Sequence, residues 1–197
     1  QRMVAQDTSI DSQKLRSAKL SDSEAQNVVH SLGVLSESRI FIDDTPAITP
    51  LQMRTKCRRM QMEIGLDLVI VDYLQLMSGD TRAENRVQEV SYISRYLKVL
   101  ARDLNVPVMA AAQLSRAVEQ RQDKTPVLSD LRESGSLEQD ADIVLFINRP
   151  EQMKEDSPLH NIAKLIVAKH RNGPTHSGIE LVFVEKLAMF SDKVLVD

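Results

Sequence analysis

The sequence is poor in the residues that most often announce a chemistry. It holds one cysteine, Cys57, among 197 residues, which excludes an internal disulfide and a cysteine-built zinc site. It has no tryptophan, three tyrosines and four phenylalanines, too few for a surface that grips nucleic acid mainly by base stacking. No apolar run approaches the roughly 20 residues needed to cross a bilayer, and the start lacks the pattern of a secretion signal. His30, His160, His170 and His176 show no metal-ligand spacing. The formal net charge is only −3, so any grip on nucleic acid must come from a local basic surface, or from several such surfaces brought together. This composition fits a reducing, cytoplasmic setting without a membrane. The most telling absence is in the glycines. The six of them, at 33, 65, 79, 135, 173 and 178, never form G-x-x-x-x-G-K-[ST], the loop whose backbone amides cradle nucleotide phosphates.

What is present reads as an ordinary globular α/β chain, long enough for one compact domain. Gln1–Ala5 reads as the tail of a helix already under way, a first hint of a fragment. Ser21, with Glu24 three positions on, caps a helix over 21–35. Ser38–Asp43 alternates like a short strand. Thr49-Pro50 opens a helix with a capping hydroxyl and a proline at its first position; Leu51, Cys57, Met60 and Ile64 can share one face, and Gly65 ends it. Four apolar runs predict buried strands, Leu66–Val71, Pro107–Ala112, Ile143–Ile147 and Ala163–Ala168, and Ile179–Val184 alternates more clearly. Between the first two, Val87, Val90, Ile93, Leu97, Leu100 and Leu104 recur at helical spacing. Strand, helix and strand at that distance make a βαβ unit, and continuous apolar strands imply a sheet covered on both faces. The later strands lack long intervening helices, which predicts an antiparallel end to the sheet. Residues 151–159 read as an exposed loop.

Four places could carry chemistry. Asp72 closes the apolar run in LDLVIVDYLQL, which puts a carboxylate at the carboxyl edge of a strand, where ligands bind in open α/β sheets and where nucleotide motors hold magnesium; it could equally cap the strand. Gln113 ends the run in VPVMAAAQLSR, where a neutral amide can sense a terminal phosphate, or simply bond nearby backbone. In the charged stretch 121–142, Arg132 and the backbone of Ser134, Gly135 and Ser136 suit phosphate oxygens, though a solvated loop has the same composition. Lys169 and Arg171 flank a turn at Asn172-Gly173 and, two apart on an extended chain, project to one side. That suits a polyphosphate, or an ordinary edge strand guarded by charge.

The wording of these segments is more specific than any one of them. DYLQLM at 72–77, EVSYISRYLKVLARDLNVPV at 89–108, QLSRAVEQRQDK at 113–124, SDLRESGSLEQDAD at 129–142 and AKHRNGP at 168–174 resemble the DnaB-type replicative DNA helicases. The resemblance implies an α/β, RecA-like (P-loop NTPase) three-layer sandwich. Its central sheet would be mostly parallel with an antiparallel C-terminal edge, incomplete on its N-terminal side. Residues 1–197 would then form the C-terminal part of a single motor domain, with the phosphate loop and the primase-engaging domain upstream of Gln1. It further implies a homo-hexameric ring that uses ATP and Mg2+ to translocate on single-stranded DNA and unwind duplex at the replication fork, meeting a primase and a helicase loader. Asp72 would be the magnesium-associated acid and Gln113 the polar sensor. Arg132, Glu133 and Gly135 would hold the DNA backbone, and Gly79–Arg86 would supply a second channel-facing loop. Lys169 and Arg171 would reach the neighbouring subunit's ATP, Arg171 as the arginine finger. Thr125 stands where the family usually has Arg, and Pro174–Gly178 lengthens the usual hairpin tip. Two other readings share these residues: a RecA-like recombinase or regulatory ATPase, and a non-catalytic DNA-binding or assembly module.

Overall fold

The computed structural model describes residues 1–80, 84–149 and 159–193, without the side chains of 132–135. In chain order these form α1 (Arg2–Thr8), α2 (Ser12–Ser17), α3 (Asp22–Glu37), α4 (Pro50–Glu63), β1 (Val69–Val71), α5 (Arg86–Leu104), β2 (Val108–Ala110), α6 (Ala117–Gln120), α7 (Gly135–Asp140), β3 (Ile143–Asn148), β4 (Ile162–His170), β5 (His176–Val184) and β6 (Met189–Asp192). Short 3-10 segments lie at Leu74–Leu76, Leu128–Ser134 and Glu185–Leu187. The chain divides into two compact units, one of Asp44–Leu145 with Val167–Thr175, the other of Gln1–Asp43, Phe146–Ile166 and His176–Asp197.

All the candidate site residues lie in the first unit, whose centre is the expected βαβ. β1 and β2 pair in parallel, Val69 opposite Val108 and Val71 opposite Ala110, so both strands end at one edge. α5 connects them. Asn85 caps it by accepting from the Gln88 backbone N–H at 3.0 Å, and Asn105 ends it in the left-handed region at φ 53°. Val90, Ile93, Leu97, Leu100 and Leu104 are buried along one stripe and join Met53, Val69, Val71, Leu74 and Val106 in one core; Val87, predicted on that stripe, is exposed. Leu100 has no solvent exposure. Leu100→Ala is therefore expected to destabilise the fold by about 2–5 kcal/mol, read as a lower urea midpoint without a change in slope.

α4 starts as its sequence dictates, with a reciprocal box between Thr49 and Gln52 and proline in its first turn. It stops where Gly65 takes φ +85°. Its inward stripe is Met53, Cys57 and Met60 rather than the face of Leu51 and Ile64, which are exposed.

In the second unit, α3 begins on a capping box between Ser21 and Glu24. Of the four-stranded order β3-β4-β5-β6, this unit holds β5 and β6 entire, and these two are antiparallel, as expected for this end. The run Ser38–Asp43 forms no strand. Its alternation finds no ladder among the described residues, and Ile40, Phe41 and Ile42 lie exposed outside any helix or strand. The expected loop over 151–159 falls, except for Leu159, outside the described residues.

The described residues do not cover the apolar strands on both faces. In β1 the burial alternates, with Ile70 64% exposed between buried Val69 and Val71. Met109 in β2 and Ile143 and Leu145 in β3 are exposed as well. α5 supplies apolar cover for one side, and no described element buries the other. No helix among the described residues is long and apolar enough to cross a membrane.

Candidate functional site

Parallel pairing of β1 and β2 carries their carboxyl ends into one cleft of about 380 Å³, lined by Asp72, Tyr73, Ala111, Ala112 and Gln113. The pairing continues past the strands: the Ala111 N–H donates to Val71 O at 2.9 Å and the Leu74 N–H to Ala111 O at 2.9 Å. Asp72 is thus held beside Ala111 by backbone alone, with its carboxylate exposed to the cleft. Gln75, in the turn after Asp72, grips the backbone of Gln113 from both sides. It accepts from the Gln113 N–H at 3.2 Å and donates to Gln113 O at 3.3 Å. This clamp was not legible in the sequence, where Gln75 is one polar residue inside an apolar run.

The donor set suits a hard cation shared with a ligand. No cluster of three or more His, Cys, Asp or Glu capable of holding a metal occurs among the described residues. Asp72 is one exposed carboxylate on this cleft, and it could hold a magnesium ion, which takes only one or two carboxylates from a protein.

Lys169 and Arg171 do not line this cleft. Both reach a single segment, the end of α7, as their two-residue spacing predicts. The Lys169 ammonium donates to Glu138 O at 2.5 Å and to Gln139 O at 3.3 Å. Arg171 donates through Nη2 to Gln139 O at 3.4 Å and pairs through Nη1 with Asp142 at 3.0 Å. Its backbone N–H donates to Asp142 O at 2.8 Å. Asp142 also accepts from the Lys98 ammonium on α5. That bond first, then the charges of Lys98, Arg171 and Arg102, hold its carboxyl below the usual carboxylate range against the opposing effect of burial. In the turn between the two cations and β5, Gly173 permits a close approach: a Cβ there would stand 2.3 Å from the His170 ring.

The DNA-binding candidates sit in helical structure rather than an open loop. Arg132 and Glu133 belong to the 3-10 turn Leu128–Ser134, and Gly135 is the first residue of α7. Asp130, 5% exposed, anchors the turn. Its carboxylate accepts from Arg121 at 2.7 Å and from the Val127 N–H at 2.8 Å, and its carbonyl accepts from the Ser115 N–H at 3.0 Å. Arg86 opens α5 and folds onto its own chain, donating to Gln75 O at 2.5 Å and pairing with Glu89 at 2.5 Å. Of the stretch 79–86, residues 81–83 lie outside the described residues.

A family model described as the DnaB-like helicase C-terminal domain matches residues 1–192. The chain is 50% identical over 190 residues to the replicative DNA helicase DnaB of Geobacillus stearothermophilus, covering 96% of this chain and 42% of that protein. It is 48% identical over 190 residues to the replicative DNA helicase DnaC of Bacillus subtilis, again 96% of this chain and 42% of the relative. The chain therefore spans less than half the length of these curated relatives. Among solved structures, an isolated ATPase domain superposes with a TM-score of 0.91 at 38% identity, over 98% of this chain and 69% of that one. A DnaB-like replicative helicase studied for its interactions with primase superposes with the same TM-score and identity, over 98% of this chain and 47% of that one.

Proposed function

Because the chain belongs to the DnaB-like helicase C-terminal domain family, we propose that residues 1–197 are the C-terminal part of a RecA-like motor domain. In the intact protein this motor hydrolyses ATP with Mg2+ to move along single-stranded DNA and open duplex at the replication fork. The observation that carries the reading is the division of charge. Asp72 and Gln113 share one cleft at the end of parallel strands, whereas Lys169 and Arg171 do not line it, as expected of cations lent to a neighbouring subunit. That division calls for a neighbouring subunit, and the resemblance gives the assembly as a homo-hexameric ring, working in the cytoplasm with a primase and a loader. The family match favours this reading over a recombinase, a regulatory ATPase or a non-catalytic module.

In this reading Asp72 would hold the magnesium, directly or through water, and the bound ion would supply charge neutralisation at the phosphate oxygens. Gln113 contacts the terminal phosphate, with its backbone fixed by Gln75 so that its amide is pre-aimed. Two residues on, Ser115 bonds Asp130 at the base of the Leu128–Ser134 turn, which gives a short bonded route from phosphate sensor to DNA contacts. Arg132 and the backbone N–H groups at Glu133 and Gly135 engage DNA phosphates, which positions the strand without reading its sequence. Arg86 joins them only by leaving Gln75 and Glu89.

Residues 1–197 contain no phosphate loop, so this chain alone is expected to show no turnover of magnesium-ATP. Turnover by the purified chain that Asp72→Ala abolishes would overturn that expectation. Forked-duplex unwinding by the full-length protein tests the larger reading: ATP hydrolysis without strand displacement would rule it out in favour of a regulatory ATPase.

A further inference from the structure

Resting on the reading of Lys169 and Arg171 as cations lent to a neighbouring subunit, we propose that Asp142 is a positioning residue. With the last carbonyls of α7 it forms a parking site in cis, which holds Arg171 away from the neighbour's nucleotide until DNA engages the head of α7.

The parking site offers the pair what a polyphosphate would offer. Lys169 meets two carbonyl oxygens, and Arg171 meets a carbonyl and a carboxylate. The carbonyls of Glu138 and Gln139 belong to the last turn of a helix, where carbonyls lack helical partners and the helix dipole favours cations. Both terminal nitrogens of Arg171 are committed here. Two of its five N–H groups are used here, and the Asp142 carboxylate competes with a phosphate for the same cation.

The site is fastened to the core as well as to the hairpin. Asp142 is held by Lys98, and Asp140 accepts from Ser94 Oγ at 2.7 Å, with Ser94 buried on α5. The backbone bond from Arg171 N–H to Asp142 O keeps the turn in place, so the side chain can change partners without the hairpin moving.

The hold is also weak enough to break. The Arg171 and Asp142 side chains are 47% and 53% exposed, and an ion pair so open to water biases an equilibrium by at most about fivefold. A stronger clasp would lock the finger; this one shifts its resting position. The release signal has a physical carrier in α7, which is only six residues long. It begins at Gly135, beside the residues assigned to DNA, and ends at the carbonyls that hold Lys169 and Arg171. A displacement at its head moves the parking site at its tail.

The test uses full-length protein and steady-state ATP hydrolysis with and without saturating single-stranded DNA. Asp142→Asn keeps the shape and removes the charge. It is expected to raise the DNA-free kcat by about two- to fivefold, with the DNA-saturated kcat and the KM for ATP unchanged, so that stimulation by DNA shrinks. Asp142→Glu is expected to restore the stimulation ratio. A merely structural role would lower both rates together and leave the ratio where it was. An assembled Asp142→Asn protein whose DNA-free rate is unchanged or lower overturns the proposal, and Asp142→Ser is read by the same ratio if the amide variant does not assemble. An Arg171→Ala arm separates the two layers. If turnover survives in Arg171→Ala, the finger assignment falls and the parking site with it. If turnover is lost there while Asp142→Asn leaves the ratio unmoved, the parking site alone falls.

Discussion

Arg171→Ala in the full-length protein is expected to lower DNA-stimulated ATP turnover by about 10³–10⁵-fold while nucleotide affinity stays largely intact. The size follows from what a guanidinium does in phosphoryl transfer: it meets charge that develops on the phosphate oxygens in the transition state, and ground-state binding gains little from it. The structure makes the expectation sharper, because Arg171 pairs with Asp142 and does not line the cleft of Asp72 and Gln113. A cation that only held the ground-state nucleotide would weaken binding and turnover together when removed. One lent to the next subunit should act across the interface. Mixing Arg171→Ala protein into wild-type rings should then depress the activity of the wild-type subunits beside it, and loss in simple proportion to the mutant fraction would count against the assignment.

Asp72→Asn is the second large effect. The amide keeps the size of the side chain and removes the charge that would retain magnesium. Metal stabilisation of phosphoryl transfer is worth several kcal/mol, so turnover should fall by about 10²–10⁴-fold at roughly 1.4 kcal/mol per tenfold. Asp72 is exposed and held by backbone bonds of its neighbours, so the fold should melt as wild type. Raising the magnesium concentration should recover part of the lost rate. A variant that turns over normally at ordinary magnesium would remove Asp72 from the site.

The parts of this molecule that were legible in the sequence are those set by local rules. The capping boxes at Ser21 and Thr49 formed as written, because each depends on residues three apart. The stripe from Val90 to Leu104 packed as its spacing dictates. The end of β1 and the end of β2 came together because a βαβ unit makes adjacent parallel strands. Ser38–Asp43 shows the limit: alternation marks a chain able to pair, and a strand exists only where a partner is supplied. The two faces of β1 show another, since an apolar pattern states a demand for cover without saying which segment meets it. Gln75 and Asp142 were missed for a related reason. Each acts on a residue 38 or 29 positions away, and nothing in the local pattern of either residue marks so distant a partner.

Only Asn105, Val106 and Pro107 lie between the last residue of α5 and the first of β2. Asn105 is fixed in a left-handed turn, the Val106 N–H bonds Ala101 O at 3.1 Å, and Pro107 O accepts from the Val69 N–H at 3.1 Å. The strand that presents Gln113 is thus suspended from the foot of the central helix with no slack. Catalysis and cohesion share one tether. Warming or trimming the core around Leu100 should blunt phosphate sensing before any global melting is seen, so an activity assay would register damage earlier than a spectroscopic one.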